Sequence, residues 1–250
     1  MRLIQLSDCH LSADPATDYR GVSPDQRLAR AVSQAAALRP DLVIASGDIS
    51  DDGSLASFKR AAACLDRLGC RWAWLPGNHD DPAVMAEIKP LEFSISHDGW
   101  EILLLDTHAP GRESGRLAAR TLERLDRRLA AGASPVLIAM HHPPVAVNAA
   151  WLDALGLEAP ERFWKVVSAH TRVRGVLCGH VHHAFTRFYQ GVPVMGLPAV
   201  SAQFLPESDA FALDEAAPGG FRLVQTDSSE TAPGFLTRIE RLTQESYTNA

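Results

Sequence analysis

With 250 residues, 46% of them hydrophobic and 22% charged, the chain has the size and balance of a packed, enzyme-sized body, which excludes the compositions of disorder and collagen. A formal charge of −6 and the lack of a Lys/Arg-rich tract give no electrostatic reason for a stable nucleic-acid complex, although a small anion can still bind where metal ions reverse the local field. No run approaches the ~20 apolar residues that cross a bilayer and the N-terminus lacks the apolar core of a secretory leader, so no membrane association and a cytoplasmic location are expected. Cys9, Cys64, Cys70 and Cys178 form no CxxC pair and read as reduced, mostly buried thiols.

Arg2 to Leu6 is a strand that ends in the polar cluster Ser7, Asp8, Cys9 and His10. Ser23-Pro24-Asp25-Gln26 offers an N-cap, a proline at the first helical position and a capping-box glutamine, which predicts a helix from about residue 24 to residue 38. Leu42 to Ala45 is continuously apolar, as a strand covered on both faces must be, and runs into Ser46-Gly47-Asp48. Ser54 to Leu68 reads as helix, and Arg71 to Leu75 as a strand ending at Pro76-Gly77-Asn78-His79-Asp80. Phe93 to His97 and Trp100 to Leu105 flank Asp98-Gly99, a hairpin signal. Leu117, Thr121, Leu122, Leu125 and Leu129 form one stripe at helical spacing. Pro135 to Met140 is a strand ending at His141-His142, and Val173 to Cys178 one ending at Gly179-His180-Val181-His182. The C-terminal segments Ala184 to Tyr189, Val192 to Met195, Phe221 to Thr226 and Phe235 to Ile239 read as antiparallel strands. The pattern predicts an α/β fold: a four-layer α/β/β/α sandwich with two central mixed β-sheets, formed by residues 1–250 as one domain.

The polar residues fall beyond strand ends, where loops converge without disturbing a core. In order they read Asp8-x-His10, Gly47-Asp48-x-x-Asp51, Gly77-Asn78-His79-Asp80, His141-His142 and Gly179-His180-x-His182. An Asp-x-His or His-x-His triplet on an extended segment directs both side chains to one side, a geometry a metal cluster can use. Nitrogen and oxygen donors without thiolate suit manganese, iron or zinc better than a structural zinc–thiolate site. Asp48 has two carboxylate oxygens with which to bridge two cations. Taken alone, Asp8 and His10 read equally well as a cap or surface loop, and Gly47-Asp48 as a turn. His97, His108, His170 and His183 read as surface or packing groups, Asp51 and Asp52 as loop supports, and Cys9 as a packing residue.

In these motifs, SDCH, GDISD, GNHD, MHHPP and GHVH, the chain resembles the calcineurin-like metallophosphoesterase superfamily. Within it the chain is similar to class III cyclic nucleotide phosphodiesterases, especially the bacterial cyclic-AMP phosphodiesterases, through SDCHL, HHPPV followed by NAAWLD, and FALDEAAPGGFRL. The resemblance implies that Asp8, His10, Asp48 and His182 hold one metal ion and Asp48, Asn78, His141 and His180 the other. The ions would be divalent or mixed-valence, manganese and/or iron first and zinc as an option, and His79 would stand outside the ligand shell near phosphate or leaving oxygen. Cys9 departs from the commoner Thr or Ser of the first motif. GDISDDG lacks the arginine of the protein phosphatase pattern, and GNHD stands where that pattern has GNHE, which disfavours a protein phosphatase.

The expected activity is hydrolysis of 3′,5′-cyclic AMP to 5′-AMP by a metal-bound hydroxide, with Asn78 and His79 as catalytic and substrate-contacting residues. Residues 143–159 could cover the cluster and place Trp151 against a nucleoside, or pack on the body. The alternatives are a broader phosphodiesterase acting on 2′,3′-cyclic nucleotides or glycerophosphodiesters, and a non-enzymatic scaffold on the same fold. A nuclease is disfavoured by the charge and the lack of a basic tract.

Overall fold

Strand β2 (Leu42–Ser46) shows why the chain stacks in layers. Every residue in it is buried, Val43 and Ala45 on one face and Leu42 and Ile44 on the other. A strand apolar on both sides needs a cover on both sides. In the computed structural model, which describes residues 1–227 and 234–243, β2 lies between β1 (Arg2–Leu6) and β3 (Arg71–Leu75), all parallel. The antiparallel strands β10 (Gly220–Asp227) and β11 (Gly234–Arg241) continue this sheet beyond β1, giving the order β11-β10-β1-β2-β3.

The second sheet has the order β4-β5-β6-β7-β9-β8. Its parallel centre is β5 (Trp100–Leu105), β6 (Val136–Met140), β7 (Val173–Cys178) and β9 (Val192–Gly196), edged by antiparallel β4 (Ser94–His97) and β8 (Phe185–Tyr189). Between the sheets, Leu3, Leu42, Ile44 and Leu75 meet Ile102, Leu104, Leu137 and Leu177 in one apolar layer. The outer face of the first sheet packs on α1 (Pro24–Ala37), α2 (Leu55–Leu65) and α3 (Pro82–Ile88) through Leu28, Phe58 and Met85. The outer face of the second packs on α4 (Ala119–Ala131) and α6 (Pro160–Val167) through Leu125, Phe163 and Trp164. The result is the predicted α/β/β/α sandwich with two mixed sheets.

Local departures from the sequence reading have local causes. Pro24 opens α1 as predicted, but the Ser23 side chain makes no capping hydrogen bond; at α2, Ser54 does cap, accepting from the Ser57 amide. The helix predicted over 54–68 is α2 followed by a 3₁₀ turn at Asp66–Leu68, ended by Gly69 in the left-handed region. Leu117 is buried but precedes α4. Asp98 and Gly99 both have positive φ, which lets the β4–β5 turn follow the twist of its strands. Helices α3, α5 (Ala150–Asp153) and α6 are additions, each too short for periodicity to be visible. Asp81 announces α3 by accepting from the Ala83 and Val84 amides.

The fold brings the carboxyl ends of β1, β2 and β3 against those of β6 and β7. Gln5, fully buried, ties the two sheets there: its Nε2 donates to Ser46 Oγ at 2.9 Å and to the Cys178 carbonyl at 3.2 Å. The inter-sheet layer should therefore hold stability without touching the polar rim. Ile44→Ala is expected to lower unfolding free energy by about 2–5 kcal/mol in a denaturant titration, with unchanged metal stoichiometry in dialysed protein.

Candidate metal centre

Past the end of β1 the backbone keeps pairing with the segment after β2: the Asp8 amide donates to the Gly47 carbonyl at 3.0 Å and the His10 amide to the Asp48 carbonyl at 3.0 Å. The triplets are not extended, however, and this corrects the sequence reading. Asp8, His10, Asp48, His180 and His182 have φ of 57°, 53°, 50°, 72° and 54°. For residues other than glycine that region costs on the order of 1–3 kcal/mol each. An extended segment would have continued the sheet; the left-handed residues instead turn amides as well as side chains toward the cluster. The His180 amide donates to both Asp8 carboxylate oxygens, at 3.0 and 3.2 Å, and the His79 amide to Asp48 Oδ1 at 2.9 Å.

The imidazoles are oriented by what their Nδ1 atoms meet. His141 Nδ1 donates to the Ser46 carbonyl at 2.9 Å and His182 Nδ1 to the Ala202 carbonyl at 2.7 Å. His10 Nδ1 lies 3.2 Å from Asp51 Oδ1. A carbonyl or carboxylate can only accept, so each Nδ1 bears a proton and, in the neutral ring, each Nε2 points a lone pair inward. His10 Nε2 and His182 Nε2 then face each other at 3.2 Å. Asp8 Oδ1 lies 3.4 Å from His182 Nε2. Asp48 Oδ2 stands between the two halves, 3.3 Å from His141 Nε2 and 3.7 Å from His10 Nε2. His180 Nδ1 is 3.1 Å from Asn78 Oδ1. The buried Nε2 atoms of His141 and His180 have no hydrogen-bond partner. Opposed lone pairs and unpartnered buried nitrogens around two carboxylates fit cations.

Charge points the same way. Asp8 and Asp48 are at most 2% exposed, and no Lys or Arg among the described residues pairs with either. Burial alone would raise both carboxyl groups. Instead the charge and hydrogen bond of His182 hold Asp8 below its usual range, and His141 holds Asp48 well below it. For His141, burial opposes protonation, but the charges of Asp48 and Asp8 push its pKa up to about 9. The carboxylates thus draw positive charge into the site, and a proton on His141 takes the place of a cation. Burial, helped by the charge of His141, lowers His180 to about 3, and burial also lowers His10. Neutral imidazole is the form that ligates.

The structure gathers Asp8, His10, Asp48, Asn78, His79, His141, His180 and His182 at one rim. His79 is its exposed member, with Nδ1 3.3 Å from Asp51 Oδ1. Burial works against a charged His79, but the hydrogen bond to Asp51 and the charge of Asp48 raise its pKa to about 9. Asp51 accordingly braces His10 and His79 from the loop. His142 lies near His141 and His180 but is saturated: Nε2 donates to the Glu113 carbonyl at 3.0 Å and Nδ1 accepts from Thr107 Oγ1 at 2.8 Å. Cys9 is buried in the core, where desolvation lifts its thiol well above the ordinary range. Trp151 lies in the aromatic group beside the cluster. It packs against Phe204 and Phe211, both at 5.3 Å between ring centroids.

Other supporting residues come from the motif loops and from more distant segments. Asp80 accepts from the Ile49, Ser50 and Gly77 amides, binding two motif loops together, and burial beside Asp48 raises its carboxyl to about 7. Ser201 Oγ donates to the Asp8 carbonyl at 2.7 Å. Tyr19 stacks on His10 at 4.0 Å and Phe204 on His182 at 3.9 Å, each nearly coplanar. Only Asp80, inside the GNHD motif, had a signal in the sequence.

Three comparisons bear on this centre. The family model described as Calcineurin-like phosphoesterase matches residues 1–184. A Vibrio vulnificus protein named 3′,5′-cyclic adenosine monophosphate phosphodiesterase CpdA is 34% identical, covering 99% of this chain and 92% of its own. A Nostoc protein named 3′,5′-cyclic-nucleotide phosphodiesterase is 34% identical, covering 96% and 92%. Among solved structures, a dimetal phosphatase from Danio rerio superposes with a TM-score of 0.69 at 18% identity, over 95% of this chain and 98% of its own, a likeness of fold.

Space beside the cluster is already taken. A Cβ at Gly47, whose φ is +96°, would stand 2.3 Å from His141 Nδ1. Gly47→Ala is therefore expected to push His141 from the Ser46 carbonyl and weaken divalent-metal binding by about 10–100-fold, as loss of an outer-shell partner does. Equilibrium dialysis with metal analysis, beside circular dichroism to monitor folding, measures it.

Proposed function

Because the chain belongs to the calcineurin-like phosphoesterase family, we propose that it hydrolyses 3′,5′-cyclic AMP to 5′-AMP at a centre of two metal ions. The observation that supports this most directly is the buried pair Asp8 and Asp48, ringed by inward Nε2 atoms and lacking any Lys or Arg counter-charge among the described residues. The relatives named as cyclic nucleotide phosphodiesterases supply the substrate class.

In this proposal Asp8, His10, Asp48 and His182 hold one ion and Asp48, Asn78, His141 and His180 the other. Imidazole, carboxylate and amide donors without thiolate suit manganese and iron, with zinc also compatible. Bound there, the ions would supply Lewis acidity toward phosphoryl oxygens and a lowered pKa for water. The protein's own share is positional. Asp48 Oδ1 is held by the His79 amide, so Oδ2 is fixed between the two halves of the cluster. Asn78 is half-buried beside His180, where its side-chain NH₂ could donate to a phosphate oxygen while Oδ1 stays with the cluster.

Opening the 3′,5′ diester breaks the P–O3′ bond, adds a water oxygen to phosphorus and leaves a proton to be delivered to O3′. His79 is proposed to make that delivery. It is exposed at the rim, and Asp51 holds its Nδ1, leaving Nε2 for the substrate. Residues 143–159 are proposed to flank the substrate and to set Trp151, which packs on Phe204 and Phe211, against the nucleoside. No described helix is long and apolar enough to cross a membrane. The free cysteines fit a reducing compartment, and the cytoplasm is the one proposed.

Asp48→Ala should abolish most turnover and deplete both metal positions, whereas His10→Ala and Asn78→Ala should each deplete one preferentially; metal analysis beside rates tests the partition. His79→Ala should keep both metals and lose roughly 10²–10⁴ in turnover, least on substrates with good leaving groups. The substrate is tested by kcat/KM on 3′,5′-cyclic AMP, 3′,5′-cyclic GMP, 2′,3′-cyclic AMP and a glycerophosphodiester, with products identified. Cyclic AMP is expected to lead. If 2′,3′-cyclic AMP or the glycerophosphodiester is turned over orders of magnitude faster, the broader phosphodiesterase replaces this reading.

A further inference from the structure

Around the rim, the side chain of Arg20 has no role in the chemistry above. Its Cζ lies 4.4 Å from the Phe211 ring centroid, 5.2 Å from Tyr19 and 5.6 Å from Phe204. No carboxylate among the described residues pairs with it; its charge is held by π faces and by the Tyr19 hydroxyl. The backbone at Arg20 is left-handed, φ 50°, and Phe211 is 45% exposed. Arg20 also borders a cavity of about 310 Å³ whose walls include Gly21, Gln203, Leu213 and Glu215.

The distances decide which part of a substrate this group meets. Tyr19 is stacked on His10 and Phe204 on His182, and the Arg20 Cζ lies over both of those rings. Its link to the proposed ligand imidazoles therefore runs through one aromatic ring on each side. What lies one layer from the phosphate in a cyclic nucleotide is the nucleoside. A planar cation and an exposed phenyl ring recognise planar π systems and offer an aliphatic alcohol little.

We propose that Arg20 and Phe211 form a stacking platform for the nucleobase, which makes them specificity-determining residues of the site. The proposal rests on the nucleotide reading of the substrate. It explains why a cation is kept on aromatic rings instead of being neutralised, and why a large apolar side chain is left exposed beside a polar centre.

The test compares 5′-AMP with ribose 5-phosphate, which differ by the base alone, in calorimetric titrations of manganese-loaded protein. The wild-type chain is expected to bind 5′-AMP about tenfold more tightly, in the range that stacking on a protein side chain contributes. In Phe211→Ala and in Arg20→Gln the preference should fall to about twofold or less, with unchanged ribose 5-phosphate affinity and manganese content. Equal wild-type affinity for the two ligands, or a preference kept in both variants, overturns the platform. A variant that fails to fold leaves the decision to the other. If the base preference behaves as expected but cyclic AMP is not cleaved, the platform stands and the substrate reading falls. If cyclic AMP is cleaved and both variants keep the preference, the platform falls and that reading stands.

Discussion

Two carboxylates buried within one cluster, Asp8 and Asp48, set the terms for the rest of the molecule. Taking a carboxylate out of water is costly unless something positive or hydrogen-bonding replaces the solvent. Here the replacement is made of His180 and His79 amides and of imidazole nitrogens from three separate loops. The rise of the His141 pKa and the fall of Asp48 are two sides of that demand, and metal ions meet it more fully than one shared proton can.

Strain and support are distributed accordingly. Left-handed residues at Asp8, His10, Asp48, His180 and His182 are unfavourable locally, and persist because surrounding contacts leave the chain no alternative. Gln5 ties the sheets together beneath the rim, Asp80 joins the loops after β2 and β3, and the Ser46 and Ala202 carbonyls fix the His141 and His182 rings. Gly47 and Gly77 let loop backbone approach where a methyl group would strike His141 or Asp48. Positions of this kind account for a polar site more rigid than exposed loops alone would give.

Outside the donors lies a shell of aromatic rings. Tyr19 and Phe204 stack on the two imidazoles of one half of the cluster, and Trp151 and Phe211 pack on Phe204. The shell packs the His10 and His182 rings from behind and leaves an apolar flank at the rim.

The sequence by itself determined the layered sheets, because continuous apolar strands such as Leu42–Ala45 require cover on both faces, and it determined which polar groups gather, because each motif follows a strand end. It also located Asp98-Gly99 and the start of α1, where turn and proline chemistry are local. Short helices such as α3 and α6 escaped it, having too few turns for a periodic signal. Only the tertiary structure decided that the Asp-x-His and His-x-His residues are left-handed, since that conformation is imposed by partners far away in the chain, His180 on Asp8 being the plainest case. For the same reason Tyr19, Arg20, Ser201, Phe204 and Phe211 could not be recognised as neighbours of the site. A stacked ring or a carbonyl acceptor leaves no local pattern in a sequence; its role exists only once the packing of two sheets has brought distant loops within a few ångströms of each other.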